Sequence, residues 1–147
     1  MGDSVIEESA VERARAFASR VHADAVDKAG KPYIGHCERV AAKLASDDEK
    51  IVAMLHDVLE DTDTPEDELR AVFGDRIVES LRLLTRSADI APAQYYARLK
   101  HDPVARAVKL ADIHDNLDPA RLSALDPQVA SKLIAKYGDA LQALAEV

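Results

Sequence analysis

At 147 residues, 48% of them hydrophobic, the chain is the size of one domain and can bury a core without disulfide or metal staples, so a bound metal is expected to be functional rather than structural. Its 27 acidic against 19 basic side chains, a formal charge of -8, argue against duplex nucleic acid or an anionic membrane as partner. They leave room for a small anionic ligand held by a local site.

Aromatic content is 4% with no tryptophan, and Ala, Leu, Val and Ile are abundant, which favours packed helices over a β-sandwich. The single cysteine, Cys37, has no internal partner and suggests a reducing compartment. The N-terminal MGDSVIEESAVERAR is acidic where a signal peptide needs a basic patch, and no run approaches the 18 apolar residues of a membrane span. A soluble, cytoplasmic protein is expected.

In chain order, Val11, Ala14, Phe17, Ala18, Val21 and Ala25 recur at helical spacing and predict a helix between Ser4 and Lys28, ending at Gly30. Lys31-Pro32 breaks it, and Tyr33 opens a second helix carrying Ile34, Cys37, Val40, Ala41 and Leu44. Ser46 to Asp48 offer a cap for a third, running through IVAMLHDVLE. Pro65 at the first helical position, with an acidic first turn, opens a fourth that stops at Phe73-Gly74. Further helices are predicted from Asp75 to Thr85 and Pro92 to Lys100. Two more run from Pro103 to near Asp118-Pro119 and from Pro127 to Tyr137 or beyond. With no alternating strand, repeat or linker, residues 1–147 are expected to form one all-α domain. Phe17, Leu83, Leu84, Tyr95 and Tyr96 serve either the core or an interface, and the oligomeric state stays open.

Two windows do not fit a plain bundle. Ile51 to Leu55 are all apolar, as are Val58 and Leu59, so His56 and Asp57 between them are carried into the interior. A buried carboxylate needs a partner or a cation. On this window alone a His-Asp core pair and a metal site are about equally good readings. Asp112, set among Val108, Leu110, Ala111 and Ile113, is a second such acid, and two buried acids need a common cation more than one does. His36 in PYIGHCERVA is the third candidate. Two imidazoles and two carboxylates suit Mn, Fe or Zn with room for water, not a closed thiolate zinc site. Glu60 and Asp61 stand one turn beyond His56 and Asp57, where a general base would orient water. The bland alternative is a solvated acidic stretch, which suits Asp63 and Glu66 to Glu68 better than Glu60 and Asp61.

The ordered set PYIGH, MLHD, VLEDT, FGDRIV and KLADIHDN resembles the HD phosphohydrolase superfamily. Over roughly residues 12 to 122 it is similar to the hydrolase domains of RelA/SpoT homologues and the small stand-alone alarmone hydrolases. The resemblance implies a single HD-domain helical bundle that removes the 3′-pyrophosphate from guanosine tetra- or pentaphosphate, with manganese as the usual ion. It makes His36, His56, Asp57 and Asp112 the metal ligands and Glu60 and Asp61 the acidic pair that activates water. Lys28, Lys31, Tyr33 and Asn116 become candidate substrate contacts, and Lys109 matches a family lysine.

Two departures stand out. Asp27-Lys28-Ala29-Gly30 replaces an Arg-Lys-Ser-Gly type loop whose arginine packs on guanine, and Ile113, His114 and Asp115 replace the family's Arg-Leu-His before Asn116. They keep open an HD phosphohydrolase for another nucleotide or phosphate ester, and a catalytically silent nucleotide-sensing or interaction bundle.

Overall fold

The computed structural model describes residues 9–145, so the part of the first predicted helix before Ser9 lies outside the described residues. Ten helices follow in order: α1 Ala10–Val21, α2 Ile34–Ala42, α3 Asp47–Leu55, α4 Val58–Asp61, α5 Glu66–Phe73, α6 Asp75–Leu84, α7 Pro92–Leu99, α8 Pro103–Asn116, α9 Pro119–Ser123 and α10 Pro127–Ala145. Among the described residues, extended pairing is limited to one antiparallel bridge between Val26 and Pro32. The all-α expectation holds.

The core is organised around α3, which packs against α1, α2, α6 and α8. Its start is fixed by a capping box: Ser46 Oγ accepts from the Glu49 amide at 3.1 Å, and Glu49 Oε1 accepts from the Ser46 amide at 2.9 Å. Its C-terminal half is Ile51, Val52, Ala53, Met54 and Leu55, all buried. Burying each of the larger side chains among them contributes about 1.5–3 kcal/mol. Phe17, Leu84, Tyr95 and Tyr96 are core residues, and Leu83 packs partly buried against them.

Three predicted boundaries are corrected. The first helix stops at Val21, well short of Gly30. Asp27 Oδ1 accepts from the amides of Ala29 at 2.9 Å and Lys31 at 3.0 Å, and Gly30 takes φ +82°, so the backbone closes a turn instead of continuing the helix. The third predicted helix does not run through His56 and Asp57; α3 ends at Leu55 and α4 begins at Val58. His56 Nδ1 donates to the Ala53 carbonyl at 2.6 Å, the acceptor that the helical ladder would give to the Asp57 amide, and Asp57 sits at φ -104°, ψ 2°. Pro65 caps α5 instead of occupying its first turn. One helix, α9, was not predicted; Asp118 caps it by accepting from the Ala120 amide at 2.8 Å.

The placement of α8 matters most for the site. Asp102 accepts from the Val104 amide at its N-terminus, and the same carboxylate receives Arg76 at 3.0 and 3.1 Å and Ser80 Oγ at 2.8 Å from α6. At the other side, Arg106 Nε donates to the Leu144 carbonyl of α10 at 3.0 Å. Within α10, Ala140 and Leu144 face the core. The long helix α8 is thereby clamped between α6 and α10.

Removing the cap of α3 should register in global stability, because α3 touches most of the core. Ser46→Ala is expected to lower the unfolding free energy by about 1 kcal/mol, read as a lower urea midpoint at unchanged slope.

Candidate metal centre and cavity

Three helical segments deliver the candidate ligands. His36 is on the first turn of α2, His56 and Asp57 are in the break between α3 and α4, and Asp112 is on α8. The three buried groups His36, His56 and Asp112 each offer a ligand atom, all within 4.8 Å of one another. Asp57 joins them with Oδ2 3.2 Å from His56 Nε2, and Asp112 Oδ1 lies 3.5 Å from the same nitrogen.

His56 tests whether this cluster fits a cation. Its Nδ1–H is spent on the Ala53 carbonyl, so in the neutral ring Nε2 carries a lone pair. That buried nitrogen has no hydrogen-bond partner, and carboxylate oxygens of Asp57 and Asp112 lie 3.2 and 3.5 Å from it. A lone pair facing carboxylates is repulsive unless a cation lies between them. The donor set of two imidazoles and two carboxylates therefore fits a divalent metal.

The charges point the same way. Burial raises the Asp57 carboxyl well above its ordinary range, and the nearby Asp112 and Asp61 push it further. Burial acts to raise Asp112 as well, but His36, His56 and Lys109 overcome it and hold that carboxyl well below the usual range. His36 is raised: burial opposes its charge, and hydrogen bonds to Asp112 and Asp115 outweigh burial. Lys109 donates to Asp112 Oδ2 at 3.2 Å.

The cluster lies against a cavity of about 280 Å³. Of the sequence-derived candidates, Lys28, Tyr33, His36, Asp57, Glu60, Asp112 and Asn116 line it. Glu60 Oε1 accepts from the Arg86 amide at 2.7 Å, which fixes this carboxylate at the wall. Asn116 donates to Asp112 Oδ1 at 3.2 Å and to the Tyr137 hydroxyl at 3.3 Å. His56, although in the cluster, is not a wall residue, and among the described residues the wall includes neither Asp61 nor Lys31. Asp61 is exposed, and its charge acts on the buried His22. Lys31 is exposed and uses its amide to close the Asp27 turn.

Several wall residues were missed in the sequence. Arg86, Arg121 and Lys136 join Lys28 and Lys109, so five basic side chains line a cavity in an acidic protein. Lys136 is lowered by partial burial and then by Arg86, Lys109 and Lys28 nearby, with Asp112 acting the other way. Behind the wall, Asp115 is buried and bonded to His36 Nδ1 at 2.6 Å, Arg39 Nε at 2.9 Å and Arg121 at 2.8 Å. Its readable signal was a stripe of Val108, Asp112 and Asp115 on one helix face. For Arg121 no such signal exists. Asp27 also faces the cavity, where Arg121 donates to its Oδ2 at 3.2 Å. Cys37 is fully buried, and burial pushes its thiol to about 12, so it is no nucleophile here.

Known proteins share both the sequence and the shape. A guanosine-3′,5′-bis(diphosphate) 3′-pyrophosphohydrolase of Aquifex aeolicus is 38% identical over 119 residues, covering 73% of this chain and 17% of that protein. The corresponding protein MESH1 of Danio rerio is 35% identical over 102 residues, covering 62% of this chain and 57% of its own length. The chain thus spans less than two thirds of either relative. A solved structure described as a metazoan ortholog of SpoT that hydrolyzes ppGpp superposes with a TM-score of 0.76 at 19% identity, covering 97% of this chain and 89% of that one, and establishes a shared fold. The family model described as HD domain matches residues 14–115, a span that holds His36, His56, Asp57 and Asp112. The chain belongs to the HD domain family.

Proposed function

We propose that residues 1–147 act as one HD-domain phosphohydrolase that uses a divalent ion, manganese by preference, to remove the 3′-pyrophosphate from guanosine tetra- or pentaphosphate. The observation that carries this reading is the juxtaposition of a cation-shaped cluster of imidazoles and carboxylates with a cavity wall bearing five basic side chains. A phosphate-rich nucleotide satisfies both. The activity for which the Aquifex aeolicus and Danio rerio relatives are named supports the guanosine polyphosphate as substrate. The donor set, rich in oxygen and free of thiolate, supports manganese or a similar ion.

His36, His56, Asp57 and Asp112 would hold the ion, which supplies Lewis-acid polarisation of a phosphoryl oxygen and a lowered pKa for water. Glu60, anchored through Oε1, stands at the wall to take the proton of the attacking water. In this reading Asp61 adds charge from outside the wall rather than contacting substrate. Lys28, Arg86, Lys109 and Lys136 offset the phosphate charge, which a protein of charge -8 could not do without a local reversal of field. Asn116 and Tyr33 line the same cavity and orient the ligand, while Lys31 serves the loop. The lone buried thiol of Cys37 supports a reducing, cytoplasmic setting. No helix among the described residues is long and apolar enough to cross a membrane.

A second reading, an HD phosphohydrolase for another nucleotide or phosphate ester, is favoured by Asp27: the turn that carries it presents a carboxylate paired with Arg121, not a free guanidinium.

Manganese-loaded protein is expected to release pyrophosphate from guanosine tetraphosphate and to lose that activity on chelation; no turnover at full metal loading would sink the substrate assignment, and a nucleotide panel scored for phosphate against pyrophosphate would then identify the alternative. Asp57→Ala should abolish metal retention and turnover together. Glu60→Gln should retain metal by elemental analysis while kcat falls by about 10²–10⁴-fold.

A further inference from the structure

Asp115 is a buried acid near the cavity, with a side chain 1% exposed, and it contacts the edge of His36 opposite the donor cluster. Its contacts are saturated. Oδ2 accepts from His36 Nδ1 at 2.6 Å and from Arg121 at 2.8 Å, while Oδ1 accepts from Arg39 Nε at 2.9 Å. The opposite edge of the same imidazole, Nε2, faces Asp112 Oδ1 at 2.8 Å and the donor cluster. His36 is therefore gripped from behind by one carboxylate and turned towards the cluster with its other nitrogen.

A carboxylate on the far nitrogen of an imidazole fixes both the ring orientation and the tautomer, and makes the near nitrogen a stronger donor. An ionised carboxylate this deeply buried persists only if it is paired, and the two guanidinium groups supply that pairing. We propose that Asp115, held and aimed by Arg39 and Arg121, is a positioning residue that holds His36 with Nδ1–H donated and Nε2 directed at a divalent cation. The proposal rests on the cation-binding reading of the cluster given above. Arg121 extends the arrangement, because its other nitrogen donates to Asp27 Oδ2 at 3.2 Å and so ties the turn at residues 27–31 to the same carboxylate.

The test measures manganese and cobalt(II) affinity of the full chain by competition with a chromogenic chelator, with helical content of the metal-free protein as the folding check. Asp115→Asn keeps the shape and removes the charge, and a loss of about 10–100-fold in metal affinity is expected, with an altered visible spectrum of the cobalt form. Glu66→Gln removes another arginine-paired acid, on α5 and outside the cavity wall, and is expected to lower stability while leaving metal affinity unchanged. Should Asp115→Asn fail to fold, Arg39→Gln, at a side chain 43% exposed, is expected to weaken metal binding in the same direction by a smaller factor. Wild-type affinity in Asp115→Asn, or in Arg39→Gln where that variant must stand in, overturns the positioning role. So does an equal loss in Glu66→Gln. A wild-type protein that binds neither metal overturns the cation reading itself and is distinguished from those results by the absence of any affinity to lose.

Discussion

A charged carboxylate at the centre of a helical core is a constraint that few sequences can meet, and Asp112 imposes it here. The group is 6% exposed, lies 2.8 Å from His36 Nε2 and accepts from Lys109 at 3.2 Å and Asn116 at 3.2 Å. Each of those partners must arrive from a fixed direction: His36 from α2, Lys109 and Asn116 from the turns of α8 on either side. The contacts from Lys109 and Asn116 follow from helical spacing within α8, whereas the one from His36 depends on how α2 packs against α8. Apolar packing around α3 supplies most of the stability, while the position of Asp112 dictates where the surrounding helices can lie.

Much of this was legible in the sequence because burial and charge conflict visibly there. An acid flanked by apolar residues at helical spacing is a signal in itself, and both Asp57 and Asp112 carried it. The fold class, most helix starts at Pro and Ser caps, and the core roles of Phe17, Tyr95 and Tyr96 or their interface alternative followed from periodicity and capping chemistry. What could not be read was the competition between side chains and backbone. His56 takes the Ala53 carbonyl, and Asp27 takes two amides of its own turn, so both predicted helices end early. Neither bond is local in its consequences, since the first lets His56 present its bare nitrogen and the second shapes the cavity rim.

Charge distribution was harder still. Net charge is a sum, and the sum hides that Lys28, Arg86, Lys109, Arg121 and Lys136 come from five separate stretches of chain to face one cavity. No spacing rule links them; only the packing of α10 against α7 and α8 brings Lys136 towards Arg86 and Lys109. The same applies to Arg121, whose helix α9 was not foreseen. Asp115 lay within reach of pattern reading, being three residues beyond Asp112 on an inward stripe, yet its partners were not.

The turn at residues 26–32 has a thermodynamic side. It is closed by the Val26 to Pro32 bridge, by the two amides bonded to Asp27, by the positive φ of Gly30 and by Arg121 from across the cavity. A rim already held in this way has little conformational freedom left to surrender when a ligand arrives. Association then proceeds against a stiff edge rather than by ordering a loose one, and discrimination between ligands falls to shape and charge at that edge instead of to loop closure.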